Sequence, residues 1–158
     1  MTDVKTVPTL AQWLGGPEKL KALTTRFYQK VPHDPVLAPI FAGMDPHHAE
    51  HVAAFIAEVF GGGTPYSSHR GGHAHMIGRH LGRHLTEQQR QRWVGLMLET
   101  VDEEGLPDDP EFRAALVGYL EWGTRLAVIN SQDGVAEPDP AAPMPKWNWG
   151  PPGGPWMG

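Results

Sequence analysis

His73 to Trp93 reads HAHMIGRHLGRHLTEQQRQRW. Thr86 followed three residues later by Gln89 has the pattern of a capping box, in which each side chain satisfies a backbone N–H of the other at a helix start. A helix is therefore expected from that point, with Trp93, Leu96, Met97 and Val101 on its inward stripe and an end near Gly105. Ahead of the box, a short helical piece presents His80 with an apolar residue one turn earlier, Met76, and a cation beside it, Arg79. The stretch thus holds an imidazole and a core-facing indole at a set separation.

Working outward, glycines and prolines divide the chain into further helical patterns, and no convincing alternating strand occurs. Pro17, after Gly15-Gly16, suits a first helical position; Leu20, Leu23, Phe27 and Val31 then recur at three- and four-residue spacing up to Pro32, flanked by Tyr28. Asp34-Pro35 opens a brief element, PVLAPIF, ending at Phe41, and Asp45-Pro46 opens another that runs to Gly61-Gly62-Gly63. Asp109-Pro110 starts the last helix, whose stripe is Phe112, Leu116, Tyr119, Leu120, Gly123, Leu126 and Ala127. The expected class is all-α. Residues 1–132 form the expected domain, and residues 133–158 a Pro/Gly/Trp-rich C-terminal extension expected to be extended or flexible. Trp147, Trp149 and Trp156 within it leave open a second reading, in which the tail docks on something.

Composition narrows the function. The 158 residues carry a net charge of −5 with no Lys/Arg-rich block, which argues against nucleic acid. Cysteine is absent, excluding disulfides, thiolate ligation of iron, iron–sulfur clusters and cysteine nucleophiles. The segment MTDVKTVPTLAQW has neither a basic n-region nor an apolar h-region, and the longest apolar run, Val52 to Phe60, is interrupted by Glu58. No membrane span and a cytoplasmic location are expected.

Nine histidines remain to be sorted. In the helix after Pro46, His48, Val52 and Phe55 share one face by their spacing, and His47, His51 and Glu58 share a neighbouring one. His47 and His51 are expected to be solvated. His48 sits at the edge of an apolar face, where a ligand-gating residue would stand. His80, with Met76 and Arg79, can ligate an iron, pack on a porphyrin and pair with a propionate. The i,i+4 pairs His47/His51 and His80/His84 also have the spacing by which imidazoles grip zinc or nickel, but thiolates and a His-Glu-x-x-His helix are lacking. A non-haem interaction module using the tryptophan tail is the other alternative.

Together these pieces resemble the truncated hemoglobins, and among them group II, over about Leu10 to Gln132. The resemblance is carried by LAQWLGG, RFYQKV with Tyr28, DPVLAPIF with Phe41, AAFIAEVFGGGTPY with Phe55 and Tyr66, HAHMIGRH with His80, and RW with Trp93. The spacing from His80 to Trp93 equals the one between that family's proximal histidine and the tryptophan that distinguishes group II. Gly15-Gly16 and Gly61-Gly62 fall where the family uses glycines to fold its helices two-over-two.

The resemblance implies a globin-like, truncated two-over-two helical sandwich around heme b (iron protoporphyrin IX). It implies His80 as proximal iron ligand, Met76 beneath the porphyrin, and Arg79 and Tyr66 as propionate partners. It further implies a distal pocket of Tyr28, Phe41, His48, Val52, Phe55 and Trp93, open to the diatomic gases O2, CO and NO. Tyr28, Trp93 and His48 are the expected donors to a bound ligand. Each good donor to a charged ligand is worth roughly 1.5–3 kcal/mol, so dioxygen release should be slow. Slow release suits nitric oxide dioxygenase or peroxidase-like chemistry better than bulk transport, and either needs a reductant, so a reductase is an expected partner. This chain departs from the family pattern at RGGH, one residue longer than the usual RGH, and at Gly82-Arg83-His84. His48 stands where many members have a small residue, and is expected to narrow the entrance, swing outward or ligate the iron itself.

Overall fold

A computed structural model describes residues 6–150 apart from Gly71. Among the described residues there is no strand. The helices are α1 Leu10–Leu14, α2 Pro17–Lys30, α3 Ala38–Phe41, α4 His48–Val59, α5 Ser67–Arg70, α6 Gly72–Gly78, α7 Glu87–Glu103 and α8 Pro110–Asn130, with a 3-10 turn over Val31–His33. The all-α expectation is met.

Most helix starts follow from local chemistry. Pro17 and Pro110 occupy first-turn positions where a missing N–H costs nothing. Asp109 caps α8, accepting from the Phe112 N–H at 2.8 Å. Thr86 and Gln89 form the expected box at α7, with reciprocal bonds of 2.9 and 3.1 Å. Asp45 accepts the His47 N–H at 2.7 Å, and α4 begins at His48, two residues later than Pro46 suggests. Helix α1 is an addition to the sequence reading. Its signal was present, since Thr9 and Gln12 form a second capping box.

Helix α2 packs on α4, α7 packs on α8, and α2 also meets α7. Between them lies the core, with Leu20, Leu23 and Phe27 from α2, Ile56 and Val59 from α4, Met97 and Val101 from α7, and Phe112, Leu116 and Leu120 from α8. Gly61 and Gly62 let the end of α4 meet α1. A Cβ on Gly62 would stand 2.8 Å from the Ala57 carbonyl oxygen and 3.3 Å from the Ala11 methyl, while the Ala11 N–H donates to the Phe60 carbonyl at 3.0 Å. Burial along α8 is divided. Its expected stripe is fully buried as far as Leu120, whereas Gly123, Leu126 and Ala127 are half-buried and line a cavity. Within the extension, Trp147 and Trp149 lie against the helical body, and Trp156 falls outside the described residues.

Candidate functional site

The cavity has a volume of about 590 Å³, inside the range of roughly 300–1,000 Å³ typical of small-molecule and cofactor sites. All ten residues singled out from the sequence line it: Tyr28, Phe41, His48, Val52, Phe55, Tyr66, Met76, Arg79, His80 and Trp93. They come from α2, α3, α4, the loop before α5, α6 with its following turn, and α7. No local sequence feature joins these elements; the packing of the two helix pairs does.

Tyr28 is the centre of one aromatic group. Its ring meets Phe27 edge-on at 4.8 Å, Phe41 at 5.5 Å and the His48 imidazole at 4.7 Å. Trp93 packs on Phe27 at 5.1 Å, and its indole N–H acts on the Tyr28 oxygen. Burial holds the Tyr28 phenol well above its ordinary pKa, and the Trp93 hydrogen bond pulls only weakly the other way. The group therefore keeps its O–H, with the oxygen already serving as acceptor. Burial first, and then the cations Arg79 and Arg83 together with His51 and His80, push His48 down to about 4, so its imidazole is neutral at physiological pH.

His80 stands two residues beyond the end of α6, in the turn that follows. The short helix expected to carry it stops earlier, at Gly78. Burial lowers the basicity of His80, and the Met76 carbonyl a turn earlier acts on its ring in the opposite sense. In a neutral imidazole one nitrogen carries the proton and the other is an acceptor, the form in which histidine ligates a metal. Met76 is half-buried against the core, and Arg79 is exposed at the rim.

The unusual turn after His80 is tied to the far end of the chain. His84 adopts φ 53°, the one non-glycine residue with positive φ among those described. Its N–H donates to the Ser131 carbonyl at 2.9 Å, and the next N–H, of Leu85, donates to Ser131 Oγ at 2.9 Å. Gln132 Nε2 returns a bond to the Leu85 carbonyl at 3.0 Å, and His84 pairs with Asp133 at 3.2 Å. Ser131 is wholly buried. Sequence reading passed over it, since a serine at a helix end carries no distinguishing signal.

Two more residues emerge only from the structure. Glu58 interrupts an apolar run because its carboxylate accepts from Tyr66 N (3.1 Å), Ser67 N (2.9 Å) and Ser67 Oγ (3.0 Å), anchoring the loop that brings Tyr66 to the cavity. Tyr66 is itself buried edge-on against Phe55 at 5.0 Å. His51, expected to be solvated, is half-buried and lines the cavity; His47, one turn earlier, is exposed as expected. The His47 and His51 rings lie 6.5 Å apart, and among the described residues no three His, Cys, Asp or Glu gather as a metal site. No helix among those residues is long and apolar enough to cross a membrane.

A helical sandwich with a large, mostly apolar cavity, a histidine on one wall and a phenol among aromatic rings on another defines a truncated globin. The residues present fit a flat, apolar, iron-bearing cofactor. The bacterial-like globin family model matches residues 9–122, and the chain belongs to that family. It is 32% identical over 117 residues, 74% of this chain and 86% of the relative, to the group 2 truncated hemoglobin YjbI of Bacillus subtilis strain 168. Among solved structures, it matches the group II truncated hemoglobin of Bacillus anthracis with a TM-score of 0.71 at 25% identity, over 78% of this chain and 93% of that one. It matches the thermostable hemoglobin of Thermobifida fusca at 0.67 and 31%, over 77% and 97%, and the truncated oxygen-avid haemoglobin of Bacillus subtilis at 0.67 and 29%, over 77% and 99%. These findings place the fold among the two-over-two, group II truncated globins, and membership implies a haem cofactor.

Proposed function

We propose that this chain binds heme b through His80 and reversibly binds dioxygen, carbon monoxide and nitric oxide in the pocket around Tyr28. The observation that carries the reading is the pairing, in one cavity, of the His80 imidazole on one wall with the buried Tyr28 phenol, which keeps its proton, on another. Haem supplies a ferrous iron that binds diatomic gases and shifts negative charge onto them.

The chain's own residues do the rest. His80 presents a neutral ring nitrogen, its basicity lowered by burial. Met76, Val52, Phe55 and Phe41 provide apolar walls, and Arg79 and Tyr66, which line the same cavity, are the partners proposed for the two propionates. Tyr28 donates its O–H to the ligand, and Trp93 orients Tyr28 by donating to its oxygen. His48, neutral and stacked edge-on against Tyr28, narrows the pocket from α4 and is a further donor. Donor-stabilised binding favours oxidation of nitric oxide to nitrate, or peroxide-driven oxidation, over transport; the first requires electrons from a reductase, and the second takes them from the substrate that is oxidised. Similarity to a haemoglobin described as oxygen-avid supports slow release.

The ultraviolet–visible spectrum of the purified protein tests the reading in its ferric, dithionite-reduced and carbon monoxide-bound forms, beside His80→Ala. A Soret band that shifts with reduction and with carbon monoxide, and is lost in the variant, is expected. A colourless protein that takes up no added hemin overturns it.

A further inference from the structure

The C-terminal extension is seated on the protein at three places. Trp147 donates its backbone N–H to the Val59 carbonyl at the end of α4 (2.8 Å), and its ring lies 5.8 Å from Tyr119 and 5.6 Å from Trp122. The indole covers Gly118 of α8, where an added Cβ would lie 3.5 Å from its Cζ2 atom. Two residues on, Trp149 donates its indole N–H to the Pro8 carbonyl (2.8 Å) and meets Trp13 edge-on at 5.6 Å. Before these anchors, Pro145 lines the same cavity as His73 of α6, Tyr119 and Trp122, and the Pro143 carbonyl lies near enough to the His73 ring to act on it.

What this tie does follows from the weakness of α6. The helix has seven residues, begins and ends with glycine, and has no fully buried side chain, yet the His80 turn hangs from its C-terminus. A helix of two turns without buried anchors has little stability of its own. Prolines 143 and 145 suit a tether, since each has a restricted φ and no N–H to satisfy, so less entropy is lost on docking.

We propose that residues 143–149 are a strap that completes the wall of the cofactor cavity, pinning α6 to α4 and α8 and so slowing loss of the prosthetic group. This rests on the haem reading above. The strap makes the extension a part of the cofactor site, and it accounts for Trp147 and Trp149 without an outside partner.

Three changes in the otherwise full chain test it. A stop after Ala136 removes the strap and keeps the Ser131, Gln132 and Asp133 contacts. His73→Ala cuts the tie to α6. Gly118→Leu displaces Trp147 while raising the helix propensity of α8, so it separates the strap from general instability. Leu106→Ala, in the buried turn between α7 and α8 and away from the cavity, serves as the control for lost stability. Transfer of hemin to excess apomyoglobin is followed at the Soret band, and the apoprotein melting temperature is recorded for each. Amide exchange at Trp147 is followed with and without hemin.

Hemin loss is expected to accelerate roughly tenfold or more on truncation and in Gly118→Leu, by less in His73→Ala, and little in Leu106→Ala despite its lower melting temperature. The Trp147 amide is expected to be protected, and more so with hemin. Loss rates within twofold of the parent in the truncated chain and Gly118→Leu, or acceleration that merely follows melting temperature across all four, overturn the strap. In those outcomes the parent still holds hemin and the haem reading stands, whereas a parent chain that takes up no hemin overturns both.

Discussion

The hydrogen bond from Trp93 to Tyr28 makes a specific demand on dioxygen release. An indole has one N–H, and here it acts on the Tyr28 oxygen, so on the proposed reading Trp93 and Tyr28 act in series, and of these two it is Tyr28 that donates to the ligand. Tyr28→Phe keeps the ring and its edge-on contacts with Phe27 and Phe41, at 4.8 and 5.5 Å, and removes the donor alone. A hydrogen bond to a charged acceptor contributes about 1.5–3 kcal/mol, so dioxygen should leave about 10- to 150-fold faster. Trp93→Phe removes only the orienting bond between neutral groups, worth about 1 kcal/mol, or about fivefold. In series, the double variant releases dioxygen about as fast as Tyr28→Phe alone, because an orienting bond is useless once the oriented group is gone. In parallel, the two effects would multiply. Stopped-flow displacement of dioxygen by carbon monoxide on the four proteins completes the cycle. A double variant at the product of the single effects would refute the series arrangement, and unchanged release in Tyr28→Phe would refute Tyr28 as donor.

Three further outcomes are expected. Ser131→Ala leaves the half-buried Leu85 N–H without its acceptor and should cost about 1–2 kcal/mol in urea denaturation; a loss below about 0.5 kcal/mol would mean that the turn is held by the backbone alone. Gly62→Ala forces a methyl to 2.8 Å from the Ala57 carbonyl oxygen, a backbone atom that cannot move cheaply, and should lower stability by about 1–3 kcal/mol, seen as a lower melting temperature. The third concerns pH. The folded pKa of His48, about 4, lies below its ordinary value of 6.5, so between these values the unfolded chain binds more protons than the folded one. Apoprotein stability should therefore fall as pH drops from 7 through 6.5 toward 4. His48→Leu should make the urea midpoint less steep over that window, and identical slopes would show that His48 is not buried as described.

Much of this protein was legible in its sequence because the signals are local. A capping box, a proline at a first helical turn and an apolar stripe act within one or two turns, so α2, α7 and α8 could be placed from spacing alone, and His80 and Trp93 could be tied together by their separation. The same kind of signal existed for α1 in Thr9 and Gln12. Spacing also indicated which face of α4 holds His48, Val52 and Phe55. It could not indicate how far round the helix the neighbours reach, which is why His51 was assigned to solvent and proved to line the cavity.

Tertiary structure decided whatever depends on a partner distant along the chain. The direction of the Trp93 N–H depends on how α7 crosses α2, a packing angle that neither helix encodes by itself. Glu58 reads as an interruption until Tyr66 and Ser67 fold back onto it, and Ser131 is an unremarkable residue until the His84 turn arrives. The tail is the extreme case. Its tryptophans announced unspent apolar surface, but Trp149 finds its acceptor at Pro8, 141 residues earlier, and Trp147 finds its seat over a glycine in α8. Sequence periodicity reports which surface must be buried; only the assembled helices determine what buries it, because the complementary surface exists only once they have packed.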